Sequence, residues 1–151
     1  MGLYRLSCAG FGIARVVQYS HRVAHSTEIE AERLQAKTAI KGLEIALAGF
    51  QTEYNVPITN RLGFKESKNH PVDEVLLRPL MAVESELNPR KIRFYDPPES
   101  KKGKHGLWRD PSGGPQIQMR DPWGGPFRVR SDSDGDGKIS NPEAPTASIT
   151  D

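Results

Sequence analysis

One long amphipathic period constrains this chain more than any other feature. Ile40, Leu43, Leu47, Phe50 and Tyr54 recur at alternating steps of three and four residues, the spacing that places side chains on one face of an α-helix. Thr27 and Glu30 stand at capping-box spacing, so a helix is predicted over residues 27–54. Lys37, Lys41, Glu44, Gln51 and Glu53 lie mostly off the stripe, the pattern of a helix laid on a partner surface and not buried all round. Ile13, Val16 and Val17 are candidates to extend it upstream, across Gly10 and Gly12, each of which costs about 1 kcal/mol relative to alanine in a helix interior.

Residues 55–71 read as an irregular connection broken by Pro57, Asn60, Gly63 and Asn69. A short helix is expected over residues 72–78, limited by Pro79, with residues 80–87 as a further turn or two before Asn88-Pro89 stops it. Beyond Pro89 the character changes: Ile92-Arg93-Phe94-Tyr95 and Phe127-Arg128-Val129-Arg130 read as short strands between proline and glycine turns. The expected class is α+β, a long N-terminal amphipathic helix packed on a small C-terminal antiparallel β region.

An internal echo marks that β region. Arg109-Asp-Pro-Ser-Gly-Gly-Pro-Gln-Ile-Gln returns eleven residues later as Arg120-Asp-Pro-Trp-Gly-Gly-Pro-Phe-Arg-Val. Each copy is a turn feeding a strand, in which Asp110 or Asp121 accepts backbone amides, the proline presets φ and the glycines permit positive φ.

Composition limits the functions open to such a chain. Hydrophobic residues make up 36% of the 151, against 14 glycines and 12 prolines, so the core is modest and extra staples would help it. Cys8 is the only cysteine, which excludes an intrachain disulfide and a zinc site built on several thiolates. A metal held by oxygen ligands remains open. The net charge is +2, with 21 basic and 19 acidic residues interleaved, which is no nucleic-acid footprint; Lys101, Lys102, Lys104 and His105 read as a solvated loop. No run of about 18 apolar residues is present to cross a membrane. Residues 3–17 make no convincing signal peptide, being broken by Arg5, Ser7, Gly10, Gly12 and Arg15.

Residues 132–143 carry the chemistry. Oxygen donors stand at loop positions 1, 3, 5, 9 and 12, namely Asp132, Asp134, Asp136, Ser140 and Glu143, with Gly137 at position 6 and Ile139 at position 8. Calcium takes six to eight oxygens at about 2.3–2.6 Å, and alternate aspartates on a tight loop can converge on one ion. The backbone carbonyl of Lys138 completes the expected set, and Glu143 can supply two oxygens. An acidic surface turn uses the same residue types, but a full twelve-position match is far more specific than one Asp-Gly pair. The segment before the loop reads as a strand, and Pro142 and Pro145 follow it, so a static strand-loop clamp is expected and not a helix-opening sensor.

Other candidates are weaker. His21 and His25 sit four apart without a completing glutamate and read as solvent-facing, and His70 and His105 lack ligand spacing. Ser7-Cys8 has no local acid–base partner, and no phosphate-cradling glycine motif opens a helix. A hydrolase using Asp134 or Glu143 lacks a legible paired base and nucleophile, so no catalytic residue and no enzyme activity are expected. Trp108 and Trp123, beside glycine-rich turns, are expected to plug a small β core.

A long amphipathic helix, a loop, and a small β region holding Asp121-Pro-Trp-Gly-Gly-Pro-Phe and an Asp-rich loop resemble the type IV pilin-like proteins, most of all the major pseudopilins of type II secretion. The resemblance covers about residues 28–143 and is most specific over residues 36–54, Glu86-Leu-Asn-Pro-Arg90 and residues 121–137. It implies a non-catalytic structural subunit of a bacterial envelope assembly, at the inner membrane or its periplasmic side, serving protein transport. Its C-terminal loop would be ordered by calcium, and it would associate with itself or with sibling subunits through the helix. Members of that family begin with a peptidase site and an apolar anchor helix whose fifth mature residue is glutamate. Counted from Phe11, the fifth residue here is Arg15, so residues 1–26 are read as a divergent arm before a pilin-like domain over residues 27–151. Within that domain the helix spans 27–54, the connection and short helix 55–89, the β region with its calcium loop 90–143, and the tail 144–151. The alternative reading is a soluble, secreted calcium-binding interaction module. In neither reading is nucleic acid or a small-molecule substrate expected.

Overall fold

The computed structural model describes residues 15–17, 26–83, 86–114, 116–133, 135 and 139, with side chains from residue 28 onward. The fold is α+β: helix α1 (Ser26–Tyr54) lies against two small antiparallel sheets and two short helices. It begins one residue before the expected start, and its predicted stripe is the core: Ile40, Leu43, Leu47 and Phe50 are buried and Tyr54 packs beside them. Residues 28–35 include no buried side chain, so the first turns of α1 run beyond the core, which starts at Ala36. Among the described residues no helix is long and apolar enough to cross a membrane.

The upstream extension of α1 is not formed at Val16 and Val17. Arg15–Val17 is a strand, β1, which adds to the edge of a three-stranded sheet. β-branched valines satisfy their backbone groups on a ladder at less cost than in a helix preceded by two glycines. Ile13 lies outside the described residues.

The connection after α1 is more ordered than its composition suggests, holding α2 (Ile58–Arg61) and β2 (His70–Pro71). Pro71 is tolerated because β2 is an edge strand. His70 stacks on Phe64 with ring centroids 4.0 Å apart, and its Nε2 accepts the Lys65 amide at 3.1 Å.

Helix α3 (Glu74–Leu80) starts at Asp73, whose carboxylate accepts the Val75 amide at 3.1 Å, and an Arg78–Glu74 ion pair one turn apart supports it. Pro79 lies inside its last turn instead of limiting it, and the helix stops at Leu80, so the further turns expected over residues 80–87 are absent from the described part of that stretch. The side chain of Asn88 takes over there. It is buried, donates to the carbonyls of Pro79 and Ile92 at 2.7 Å each, and accepts the Tyr54 hydroxyl at 2.7 Å and the Ile92 amide at 3.1 Å. The Leu80 carbonyl then accepts both Phe94 and Tyr95 amides. Residues 92–95 form no strand: the amides of Ile92, Phe94 and Tyr95 are taken by the Asn88 side chain and the end of α3.

The remaining strands are β3 (Gly106–Arg109), β4 (Ile117–Arg120) and β5 (Arg128–Arg130), the last central in the order β1-β5-β2. β3 and β4 form a separate hairpin in which Leu107 faces Met119. Three backbone bonds tie hairpin and sheet together: Met119 donates to Val72, Val72 to Phe127, and Phe127 to Met119, at 2.9–3.0 Å. Val72, Met119, Phe127 and Val129 form the β side of the core.

Tyr95 closes that core beside Gly42, and burial favours its neutral phenol, pushing its pKa up to about 12. A group whose folded pKa is raised keeps its stabilising contribution below its unfolded value near 10 and loses it as pH rises through about 12. The unfolding free energy from urea titrations across that window is expected to fall by up to about 3 kcal/mol in wild type. The fall should be clearly smaller in Tyr95→Phe; an equal fall in both would show that other groups cause it.

Candidate metal centre

The approach to the predicted loop is built by β5 and the residues after it. Arg130 forks onto the Asn69 side chain at 2.8 and 3.1 Å, tying β5 to the α2–β2 connection. The buried hydroxyls of Ser131 and Thr59 share a hydrogen bond at 2.7 Å, and Asn60 reaches the Ser133 carbonyl at 3.5 Å. The next residue in the chain after Ser131 is Asp132, which is only 4% exposed. Its Oδ1 accepts the Gly135 amide at 2.7 Å, and Gly135 has φ +77°. A carboxylate bonded to an amide three residues ahead curls the chain around itself, and glycine makes that curl free of Cβ strain.

An inward carboxylate at the first position is compatible with an oxygen-ligand loop, and the same bond is also ordinary Asp turn chemistry. Of the six residues expected to ligate calcium, Asp132 alone is among the described residues, and its buried carboxylate is compatible with that role. Asp134, Asp136, Gly137, Lys138, Ser140 and Glu143 lie outside the described residues, and so do His21, His25 and Cys8; Ile139 is half-buried. Among the described residues no three His, Cys, Asp or Glu side chains gather as a metal group. Where calcium binds, Asp132 would be one of its oxygen ligands, and the ion would draw the remaining donors of the loop together.

The first of the repeated turns joins β3 to β4 and the second follows β4, with unequal burial. In the first, Asp110 Oδ1 accepts the Ser112 amide and hydroxyl at 2.9 and 2.5 Å, and Gly113 takes φ +80°. Those two bonds, the hydroxyl first, hold the Asp110 carboxyl below the usual carboxylate range. In the second, Asp121 is fully buried, its Oδ1 accepts the Trp123 and Gly125 amides at 2.9 and 2.8 Å, and Gly124 takes φ +94°. A Cβ on Gly125 would lie 2.9 Å from Asp121 Oδ2, so the second glycine of this copy is required by space and the first by conformation.

No protein-family model, curated protein or solved structure matches the chain.

Neither tryptophan plugs the β core. Strand alternation turns Leu107 and Met119 inward and Trp108 to the opposite face, where the Arg120 guanidinium lies 4.1 Å above its ring. Trp123 is half-buried on its turn. Thr59, Asn69, Arg130 and Ser131, which brace the loop entrance, escaped sequence reading. Their bonds join residues 61 and 72 positions apart, and no local period announces such a pair.

Proposed function

We propose that the protein is a non-catalytic structural subunit of pilin-like type, resembling the pseudopilins of type II secretion, with a C-terminal loop stabilised by calcium. The observation that carries this reading is the division of labour on α1. One face supplies the core, while Leu34 and Ile45, eleven residues apart and so nearly in line on the opposite face, are 65% and 62% exposed. Two large apolar side chains in line on the face away from the core, with Lys37, Thr38 and Lys41 exposed between them, suit a helix that touches neighbouring copies or sibling subunits along that face. An apolar groove of about 370 Å³ beside the same half of α1, walled by Ala39, Gly42, Tyr95, Pro98 and Met119, adds surface for such a neighbour.

The pre-curled entrance at Asp132, braced by Thr59 and Asn69, supports a static clamp in place of a sensor. The reading also places the protein at the bacterial envelope. Photo-crosslinking in the source cell tests it, with the reactive group at position 34, 45 or, as control, 68. Adducts with this chain or with sibling subunits are expected at 34 and 45 and not at Lys68, which stands on the separate turn of residues 65–68. Equal labelling at all three positions, or none at 34 and 45, would sink the assembly reading.

A further inference from the structure

One end of the β3–β4 hairpin gathers cations and tryptophans that the proposed subunit role does not use. Residues 101–104 close a two-residue turn, with Lys101 donating to the Lys104 carbonyl at 3.0 Å and Lys104 to that of Lys101 at 3.1 Å. Both central residues have positive φ, +53° at Lys102 and +75° at Gly103. Glycine is at home there, but the first position of such a turn takes asparagine, aspartate or glycine without strain, and a lysine does not. Backbone strain accepted at an exposed position is a reason to ask what the side chain does.

The lysines at 101, 102 and 104 are all exposed, and none forms an ion pair among the described residues. The second Asp-Pro turn packs against this one. His105 donates to the Asp121 carbonyl at 2.8 Å, and a Cβ on Gly124 would lie 3.6 Å from the Gly103 carbonyl oxygen and 3.8 Å from Lys104 Cγ. Trp123 therefore joins the same tip. Arg120 completes it, stacked on Trp108 with Nη1 3.5 Å from the Gly103 carbonyl. The neighbouring carboxylates are engaged: Asp121 is buried under backbone amides, and Glu99 takes Arg109 at 3.0 Å.

We propose that this tip, formed by Lys101, Lys102, Lys104, Arg120, Trp108 and Trp123, docks on a membrane surface through anionic lipid headgroups. Lysines raised on a turn offer separate point charges to an extended anionic plane, whereas an acidic peptide is held by a groove that aligns its backbone. Half-buried tryptophans beside them suit the boundary between headgroups and acyl chains. Each Lys or Arg near an anionic surface strengthens partitioning about fivefold, so the three lysines together supply on the order of a hundredfold.

Vesicle sedimentation of the full chain, with a chelator present so that calcium cannot bridge, tests the proposal. The protein should pellet with vesicles of phosphatidylcholine containing phosphatidylglycerol and remain in the supernatant with phosphatidylcholine alone. The triple variant Lys101→Gln, Lys102→Gln, Lys104→Gln should lose about a hundredfold in partitioning, while Lys65→Gln, Lys68→Gln loses far less. Far-ultraviolet circular dichroism confirms that each variant keeps its helix. Equal pelleting with neutral vesicles, or an unchanged triple variant, overturns the proposal. Release by inorganic phosphate at an ionic strength where chloride leaves the protein bound assigns the tip to free phosphate. Release by polyglutamate at matched charge assigns it to an acidic protein. Either release also overturns the lipid reading.

Discussion

Gly106→Ala is expected to lower the urea midpoint more than any other single glycine-to-alanine change in the described chain. Gly106 has φ +111°, and a Cβ there would stand 2.2 Å from the Pro98 carbonyl oxygen and 3.1 Å from its carbon. The obstacle is backbone, held in place because that same carbonyl accepts the Leu107 amide at 2.7 Å. Relief requires breaking this bond or moving β3. Strain at positive φ and overpacking each cost about 1–3 kcal/mol, so a combined loss of about 3–5 kcal/mol is expected. Domains of this kind are stable by only about 5–15 kcal/mol in total, so much of the variant population is expected to be unfolded at modest denaturant. Gly63→Ala separates the two causes: Gly63 has φ +67° with nothing within 4 Å, so only the conformational part applies, about 1–2 kcal/mol. Equal midpoints for the two variants would show that the contact between Pro98 and Gly106 is not a fixed one.

Calcium is expected to raise the melting temperature of wild type and not that of Asp136→Ala. An ion that binds only the folded chain, at about one hundred times its dissociation constant, adds roughly 2.7 kcal/mol. For a chain of this size that corresponds to a rise on the order of 5–10 °C. Asp136 stands at loop position 5, and its removal takes away one charged oxygen ligand without touching the described core. Magnesium at the same concentration should give a far smaller shift, since it holds its water shell and demands a tighter octahedron. An equal calcium shift in both proteins, or a shift in neither, ends the metal reading while leaving the assembly reading of α1 to its own crosslinking test.

What was legible in the chain was whatever local chemistry repeats or punctuates. The stripe from Ile40 to Phe50 lies buried as read because a helix converts sequence spacing directly into a face. Asp110 and Asp121 accept backbone amides as read, because an Asx turn closes within three or four residues. Illegible were the elements whose partners lie far away. Residues 92–95 carry strand-like composition, yet the end of α3, more than a dozen residues back, takes the amides of Phe94 and Tyr95. Val16 and Val17 carry no label that distinguishes a helix extension from an edge strand; the open edge of β5 decides for the strand. Composition likewise does not say which face of a two-stranded hairpin looks inward, and so does not place Trp108.

The same division holds for the candidate loop. By itself the sequence determined the twelve positions and the oxygen-bearing side chains that stand on them, because spacing along one short loop is local. Tertiary structure alone decided how the entrance is held. Thr59, Asn69, Ser131 and Arg130 meet only when β5 has been sandwiched between β1 and β2 and α2 has folded against it. The physical reason is range: turn and ligand geometry are set by a few consecutive dihedral angles, whereas bracing depends on which distant surfaces are buried together.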